Sequence, residues 1–403
     1  MERMKLEVMN TDLNIYYNRC NMIYDSINKR NDLINYNKST EIIVNFVRGA
    51  TIEIKSIFDK KYTVEFWNSE GSCEYKTTIG SNSWARTSKK YFEQYTCKIY
   101  DNDILIHEHK YDARGKRVYI ALESKSLGDT LAWFPYAEEF GKKWDCKVVC
   151  STFWNYLFKD QYPNIEFVEP GTPVKDLYAM YTLGWYYKED GIFDYTRNPK
   201  EFRKISLQQT ASDILGLDFK HVKAKLNLPP VEKKKKVGLG IHSTAQAKYW
   251  NNPTGWQQVT DYLLENGYEP IILSKENDGY MGNNHPIGAT KFPAGSITDL
   301  INEMLTCEFF IGIGSGLTWL AWTLDLPIIL ISGFSNPISE FIDGSIDRVF
   351  NNTVCNSCFN RHRLDAGDWN WCPDHKGTDK QFECTKTITF DMIKPLLEKK
   401  LFG

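Results

Sequence analysis

Four cysteines near the C-terminus have the spacing of a metal-binding site. They follow one another in the order C-x2-C-x13-C-x11-C, as Cys355, Cys358, Cys372 and Cys384. A close pair on a turn, with two further thiols from a following loop, supplies four ligands at about 2.3 Å to a tetrahedral zinc or iron ion. Four protein ligands leave no open position for a substrate, so we expect a structural metal. The second pair is not C-x2-C, and reduced buried cysteines or disulfides are the alternatives.

Asp129 stands where a predicted strand passes into a helix. In the segment KSLGDTLAWFP, Gly128 permits a tight turn after the strand RVYIALES, and Asp129 lies where the next helix begins. A carboxylate at this place can accept the proton of an incoming hydroxyl. An aspartate at a helix start can instead cap free backbone amides, and the local sequence does not choose between these two roles.

Two further loops carry groups that suit a diphosphate. In IHSTAQAKYWNNPTGW, Ser243, Thr244 and Lys248 follow the strand VGLGI, and hydroxyls with a lysine bind phosphate oxygens. In GIGSGLTWL, Ser315 and Gly316 come directly before a helix, where backbone N–H groups and the helix dipole attract phosphate. A strand before the glycines and a helix after them are the context that a phosphate loop requires. Without such a site, Lys248 would be an ordinary surface lysine.

The composition is that of a globular protein with two or three domains. The chain has 403 residues, of which 42% are hydrophobic and 25% charged, and its formal net charge is −2. This charge gives no bulk electrostatic reason to expect nucleic acid as a partner. The sequence has no apolar run of about 18 residues and no apolar N-terminal segment. We therefore expect a cytoplasmic protein without membrane spans and without disulfides.

The pattern of residues along the chain changes three times. Residues 41–108 carry β-branched and aromatic runs separated by turn signals, which predicts a small antiparallel β domain. Strands alternate with helices from residue 117 and again from residue 237. Between these patterns, Pro229, Pro230 and a run of four lysines indicate a linker. The predicted domains are an N-terminal β domain over 1–110, a Rossmann-like domain over 111–230, and a second Rossmann-like domain over 231–403 with a metal finger at 350–390.

Together these motifs resemble those of a known family. SLGDTLAWFP resembles the first-domain motif of the ADP-heptose glycosyltransferases of the GT-B fold, a group similar to glycosyltransferase family 9. HSTAQAKYW resembles their H-x-T-x-x-x-K-x-W motif, and GSGLTWLAWTLDLPIILI resembles their D-T-G-L-x-H-L-A loop. With the N-terminal β domain and the cysteine finger, the chain looks like the bacterial autotransporter heptosyltransferases, which attach heptose to serine hydroxyls of autotransporter passenger proteins. The implied fold is α/β, with two Rossmann-like domains in the GT-B arrangement.

The resemblance implies roles for residues of these loops. Asp129 matches the family's catalytic base, which deprotonates the acceptor serine for inverting attack on the anomeric carbon. Lys248 matches the lysine that neutralises the departing diphosphate. The implied donor-binding residues are Ser243, Thr244, Glu276 (placed to bond a ribose hydroxyl), Ser315, Gly316, Leu317 and Thr318. Lysine, helix dipole and backbone amides replace a divalent metal at the reaction centre, so none is expected there.

The family also implies a cofactor and partners. One structural iron ion per chain would be held by the four cysteines, although thiolate chemistry alone allows zinc equally well. His362 and His375 lie inside the finger and would replace a thiol only if one were lacking. The implied partners are the donor ADP-heptose, an autotransporter passenger protein as acceptor, and further copies of this chain in a ring of twelve. We expect the N-terminal β domain to be a docking surface for that assembly or for the acceptor protein.

The chain departs from the wider heptosyltransferase pattern at two positions. Gly314 stands where that pattern has Asp, and Trp319 where it has His. The corresponding side-chain contacts with the donor are absent, so an altered donor preference is open, and Trp319 is expected to be a core residue beside Trp322. Two other functions remain as alternatives: sugar transfer to lipopolysaccharide, and a non-catalytic metal-ribbon binding module.

Overall fold

The chain consists of two compact units. The computed structural model describes residues 34–37, 40–293, 295–363 and 370–403. The first unit contains the described residues up to Lys125 together with Trp133–Lys200 and Gln209–Lys220. The second unit contains Ser126–Ala132, Glu201–Gln208 and His221–Gly403. Residues 1–33 of the predicted N-terminal domain lie outside the described residues, as do residues 364–369 of the predicted finger.

Strands dominate the first unit and alternate with helices in the second. The strands are β1 Ile34–Asn37, β2 Thr40–Val47, β3 Thr51–Ser56, β4 Lys61–Trp67, β5 Cys73–Gly80, β6 Ser83–Arg86, β7 Thr96–Asp101, β8 Ile104–Lys110, β9 Arg117–Leu122, β10 Lys147–Ser151, β11 Ile165–Phe167, β12 Leu177–Leu183, β13 Lys236–Gly240, β14 Glu269–Ile272, β15 Thr290–Lys291, β16 Phe309–Ile313, β17 Ile328–Ile331 and β18 Asp347–Val349. The α-helices are α1 Leu127–Trp133, α2 Pro135–Trp144, α3 Asn155–Phe158, α4 Leu207–Ile214, α5 Gly255–Glu265, α6 Ile297–Thr306, α7 Gly316–Thr323, α8 Cys358–Arg361, α9 Glu383–Lys386 and α10 Phe390–Phe402. Short 3₁₀ turns lie at Phe202–Lys204, Gln246–Lys248, Tyr280–Gly282 and Pro337–Ser339.

The first unit holds a mixed sheet and a smaller antiparallel sheet. The mixed sheet has the order β11-β10-β9-β12-β2-β3-β6, with β1 beside β2, and the smaller one has the order β5-β4-β7-β8. Strands β9 to β12 pair in parallel, and β2 pairs in parallel with β12 before the antiparallel pairs β2·β3 and β3·β6. Strands therefore form where the segment 41–108 predicts them, but they share a sheet with strands beyond residue 110.

Within the first unit, aromatic packing joins the segments before and after residue 110. The ring centroid of Tyr111 lies 4.7 Å from that of Phe46, 5.1 Å from that of Phe92 and 5.1 Å from that of Trp144. Phe46 belongs to β2, whereas Trp144 ends α2, so one cluster of packed rings joins a strand before residue 110 to a helix after it. Both the sheet and this core continue across residue 110, and the domain division predicted there stays a prediction.

The second unit contains a parallel sheet with the strand order of a dinucleotide-binding domain. Its six strands lie in the order β15-β14-β13-β16-β17-β18, and every pair is parallel. Numbered from β13, this is the order 3-2-1-4-5-6 of the Rossmann fold. Strands β16 and β17 are buried along their whole length, as expected when helices cover both faces. The order reverses between β13 and β16, and ligands bind at the carboxyl ends of strands at such a point.

The helices do not include a membrane span. In the ranges given above, no helix is both long enough and apolar enough to cross a bilayer.

Candidate functional site

The loops after β13 and β16 meet at the point where the strand order reverses. The backbone N–H groups of Ile241 and His242 donate to the hydroxyl of Ser274, at 3.0 and 3.1 Å, which ties the loop after β13 to the end of β14. The hydroxyl of Ser243 donates to the carbonyl of Gly314 at 3.4 Å. Two predicted phosphate-binding segments, distant in sequence, therefore lie side by side.

The segment after β16 has the geometry of an anion-binding loop. Ser315 is extended, with φ −155° and ψ 169°, and α7 begins at the next residue. Within the described part of the chain, the amides of Ser315, Gly316 and Leu317 donate to no other group, and the Ser315 hydroxyl is buried without a partner. The Thr318 amide donates to the Ser315 carbonyl at 3.1 Å, and the Thr318 hydroxyl donates to the Ile313 carbonyl at 2.6 Å. Three of the four predicted amides are thus available to an anion, and that of Thr318 is engaged within the loop.

Asp129 lies in the first turn of α1, and Ser126 performs the capping. The carbonyl of Ser126 accepts from the Thr130 amide at 3.1 Å, and its hydroxyl accepts from the Asp129 amide at 3.5 Å. Asp129 is half-buried. Because Ser126 occupies the capping position, the N-cap role for Asp129 that local sequence left open is not the one that the structure shows.

Two glycines bring the start of α1 against the start of α7. A Cβ added to Gly128 would lie 3.2 Å from the Gly316 Cα and 3.2 Å from Cδ1 of Trp319. A Cβ on Gly316 would lie 3.2 Å from the Gly128 nitrogen and 3.5 Å from the Leu127 Cβ. Both distances are shorter than an ordinary van der Waals contact, so a larger residue at either position would push the two helix starts apart. Asp129, the predicted base, directly follows Gly128, which lies against the predicted phosphate loop at Gly316. Both segments belong to the second unit.

Lys248 presents its ammonium group at the same edge of the sheet. It ends the 3₁₀ turn Gln246–Lys248 and lies over the ring of Phe334, with Nζ 5.4 Å from the ring centroid. Among the described residues, no carboxylate lies within ion-pair distance of this ammonium. Thr244 is exposed and Ser243 is half-buried. A half-buried ammonium without a carboxylate partner suits a phosphate ligand.

Glu276 lies beside the buried His242 and the half-buried His285 and Lys291, which the sequence analysis did not assign to the site. Its Oε2 is 4.0 Å from Nδ1 of His242, whose side chain is fully buried and whose ring nitrogens make no hydrogen bond of ordinary geometry within the described residues. Burial, with smaller contributions from His285 and Lys291, lowers the pKa of His242 to about 4. Burial also lowers the pKa of Lys291, while Glu276 opposes this change. Buried polar atoms without partners are typical of a ligand site.

The sequence carried a signal for only one of these residues. His242 opens the motif HSTAQAKYW, whereas His285 and Lys291 come from a loop and a two-residue strand without any motif. They reach the site because β15 pairs in parallel with β14, which places the end of each strand at the same edge.

The four cysteines interact but do not form a closed centre. Cys358, Cys372 and Cys384 are buried and Cys355 is half-buried. Burial, with the other three thiols adding to it, raises the pKa of Cys358 to about 12. The Nη2 of Arg361 lies 3.4 Å from the sulfur of Cys355 and 3.9 Å from that of Cys358. Across the described ranges, no three His, Cys, Asp or Glu side chains form a group that could hold a metal ion. The metal site therefore stays a prediction.

Comparison with known proteins identifies the family to which this chain belongs. No protein-family model matches the chain. It is 37% identical over 333 residues to the autotransporter heptosyltransferase BAHTCr of Citrobacter rodentium, across 79% of this chain and 80% of the relative. It is 36% identical over 330 residues to TibC of Escherichia coli O78:H11, across 78% of this chain and 80% of TibC. The chain is therefore a glycosyltransferase. The chain is a member of the autotransporter heptosyltransferase family.

A solved structure and a more distant relative complete the comparison. The crystal structure of TibC, an iron-containing dodecameric glycosyltransferase, has a TM-score of 0.81 at 32% identity and covers 92% of this chain and 98% of TibC. A second TibC structure contains ADP-D-beta-D-heptose. BimC of Burkholderia thailandensis, named as an inactive autotransporter heptosyltransferase, is 28% identical over 319 residues, across 76% of this chain and 74% of BimC. The expected family and enzyme class are confirmed, and the expected mixed α/β fold is present.

Proposed function

We propose that this chain transfers heptose from ADP-heptose to serine hydroxyls of an autotransporter passenger protein, with inversion at the anomeric carbon and in a GT-B arrangement of two Rossmann-like domains. One observation carries the proposal: the helix that bears Asp129 begins against the anion-binding loop at Gly316, with the Gly128 Cβ position 3.2 Å from the Gly316 Cα. A base and a diphosphate site must be adjacent in a direct displacement, because the bonds to nucleophile and leaving group meet at one carbon.

Asp129 is the proposed general base. Its carboxylate takes the proton from the acceptor serine, the serine oxygen forms the new bond to the anomeric carbon, and the bond from that carbon to the diphosphate oxygen breaks. The electron pair of the broken bond leaves with the diphosphate. Attack opposite to the leaving group inverts the anomeric centre, which agrees with a single base.

The leaving diphosphate is held by positive charge and backbone amides. We assign this role to Lys248, Ser243 and Thr244 on one side, and to the loop before α7 on the other. The free amides of that loop and the positive end of the α7 dipole would attract an anion placed there. Together they supply the charge stabilisation that a divalent metal supplies in other transferases, so no catalytic metal is proposed.

The group of residues beside Glu276 and the buried His242 is the proposed nucleoside site. The Glu276 side chain is 15% exposed, and its carboxylate can accept hydrogen bonds from ribose hydroxyls. The ring centroid of His242 lies 5.6 Å from that of His285 and 5.9 Å from that of Tyr280. Aromatic surfaces with unsatisfied ring nitrogens suit the flat, polar edge of a nucleobase.

The cysteine finger is the proposed site of one structural iron ion. Four soft sulfur donors suit iron or zinc in tetrahedral geometry, and the Arg361 guanidinium offsets the negative charge of the thiolates. Nε2 of His362 lies 2.7 Å from Oδ1 of Asp374, and the four thiols are the proposed ligands. A bound ion would hold the finger closed by joining its four sulfur atoms.

The finger is also attached to the loop of Lys248. The amide of Phe359 donates to the carbonyl of Phe334 at 3.1 Å, and the Phe334 ring lies under the Lys248 ammonium. The side-chain amide of Asn251 donates to the Thr385 hydroxyl at 3.0 Å and to the Tyr249 carbonyl at 2.9 Å. The proposed metal would therefore support the donor site without touching the substrate.

The proposed assembly is a homo-oligomer, with twelve subunits as in TibC. Large apolar side chains are exposed on the N-terminal strands and their turns, among them Ile57 at 80%, Trp84 at 56% and Ile104 at 69%. Exposed apolar groups of this size favour a docking surface for further copies or for the acceptor. The nine described cysteines are free thiols, which fits the proposed cytoplasmic location.

Intact-mass spectrometry of a co-expressed passenger fragment tests the proposal. In a host that makes ADP-heptose, the wild-type chain should add the mass of dehydrated heptose units, and Asp129→Ala and Lys248→Ala should not. Asp299→Ala is the matched control, because Asp299 follows a capping serine at the same spacing in α6 and its amide donates to Ser296 at 3.1 Å. An unmodified passenger beside a folded wild-type chain that consumes ADP-heptose would indicate another acceptor, such as lipopolysaccharide. A passenger modified as in the wild type by either variant would exclude the role assigned to that residue.

A further inference from the structure

The carboxylate of Glu340 lies against the anion-binding loop, where no motif predicts one. Its Oε1 accepts a hydrogen bond from Nε1 of Trp319 at 3.0 Å, and its Oε2 accepts one from the hydroxyl of Ser335 at 3.3 Å. A Cβ built on Gly314 would lie 3.4 Å from the same Oε2. The carboxylate of a residue 26 positions further along the chain therefore lies against Gly314.

Several contacts fix this carboxylate in place. The carbonyl of Glu340 accepts from Nη2 of Arg348 at 2.6 Å. The ring of the next residue, Phe341, lies 4.1 Å from that of Trp319, centroid to centroid. Phe341 itself has φ 52°, a left-handed conformation that a bulky side chain adopts only when the surroundings hold it there. The position of Glu340 is therefore set by the fold and not by a mobile surface loop.

Trp319 links this carboxylate to the turn that precedes Asp129. Its Nε1 bonds to Glu340, while its Cδ1 lies 3.2 Å from the Cβ position of Gly128. Trp319 is 3% exposed and packs edge-on against Trp322 at 5.6 Å, so it is the core residue that the sequence predicts. One rigid indole therefore contacts both the turn of the proposed base and the carboxylate beside the diphosphate loop.

A carboxylate at this place is poorly suited to bind a diphosphate and well suited to bind hydroxyl groups. Like charges repel, so Glu340 would weaken phosphate binding if phosphate were its partner. An ionised carboxylate only accepts hydrogen bonds, and hydroxyl groups are strong neutral donors to it. The group that enters with the diphosphate and carries several hydroxyls is the sugar of the donor.

We propose that Glu340 recognises hydroxyls of the donor sugar, and that Trp319 and Ser335 position its carboxylate for that contact. The inference rests on the proposed function. It names Glu340 as the residue that lets the site distinguish ADP-heptose from ADP. A Cβ at residue 314 would already be in van der Waals contact with this carboxylate, so a side chain longer than that of alanine would compete with it for space.

Equilibrium binding of ADP and of ADP-heptose, measured by calorimetry on each variant, tests the assignment. Glu340→Gln should bind ADP as the wild type does, and should lose about tenfold of the preference for ADP-heptose over ADP, since hydrogen bonds to a charged group are the strong ones. Trp319→Phe keeps the ring against Gly128 but deletes the Nε1 donor, and it should lose a smaller part of the preference. Ser335→Ala, a milder change, serves as a further variant if either of these fails to fold.

Glu308→Gln is the matched control, because that carboxylate also accepts from an aromatic side chain, the Tyr268 hydroxyl at 2.8 Å, and stands at the opposite end of β16. It should leave both affinities unchanged. Equal losses for ADP and ADP-heptose in Glu340→Gln would show a structural role and overturn the inference alone. Binding of ADP-heptose by the wild type that is no tighter than that of ADP would overturn the sugar contact. Failure of the wild type to bind either ligand would overturn the proposed donor and this inference together.

Discussion

The two regions in which the sequence predicts chemistry are held together differently. At the carboxyl edge of the second sheet, the geometry comes from the backbone: parallel strands, two helix starts, and two glycines at which an added Cβ would lie only 3.2 Å from the facing backbone. In the cysteine finger, two helices of four residues and a few hydrogen bonds carry the thiols, and none of the described groups is arranged to hold a metal. A site made from backbone is formed before its ligand arrives, whereas a site made from side chains on short elements depends on the ligand to close it.

The largest effect is expected from the backbone-built site. Asp129→Asn keeps the shape of the side chain and removes the base, so we expect kcat for passenger modification to fall about a thousandfold. Its melting temperature should stay within the range of the control Asp299→Asn. Steady-state kinetics with a passenger peptide measures the effect, and a loss of less than about tenfold would show that another group takes the proton.

Metal removal should affect stability more than it affects the chemistry at the sheet edge. A chelator should lower the melting temperature of the wild type by about 5–10 °C, because metal binding contributes to the free energy of folding. In Cys358→Ser the same chelator should have no further effect, while the exposed Cys73→Ser should behave as wild type. Metal analysis by mass spectrometry should find about one ion per wild-type chain. Equal metal content in wild type and Cys358→Ser would place the ion elsewhere.

A smaller effect is expected when the contact between the two helix starts is opened. Gly128→Ala places a methyl group 3.2 Å from the Gly316 Cα, and we expect a loss of about 1–3 kcal/mol in the free energy of unfolding. The helices must separate slightly, so kcat should fall further than stability alone accounts for. Gly267→Ala is a poor control because of its left-handed φ, whereas Gly80→Ala meets nothing closer than 3.9 Å. Urea titration and kinetics on both variants measure the difference.

The smallest effect concerns the pH dependence of the donor unit. Because the pKa of His242 is lowered from 6.5 to about 4, the unfolded chain binds a proton at this residue in a pH range where the folded chain does not. Its neutral burial therefore stabilises the fold above pH 6.5, and the contribution is lost as the pH falls toward 4. We expect a loss of roughly 1–3 kcal/mol over this window in urea titrations. His242→Asn should flatten the slope, and parallel curves for the two proteins would contradict the assignment.

Local sequence determined the elements and the residues that stand at their ends. Strand-helix alternation after residue 237 predicts the parallel sheet, and in such a sheet the carboxyl ends of the strands share one edge. That rule is sufficient to bring Ser243 and the Gly316 loop together. The family could also be recognised from three short motifs, since each occupies the end of a strand where the chemistry occurs.

Only the tertiary structure decided which distant residues join those ends. Nothing near Glu340 in the sequence indicates that its carboxylate fills the space beside Gly314, because that depends on the left-handed turn at Phe341 and on the indole of Trp319. The parallel pairing of β2 with β12 was equally hidden, since a periodic pattern shows which face of a strand is buried but not which strand lies beside it. Patterns in sequence report local geometry, whereas long-range neighbours follow from the packing of the whole chain.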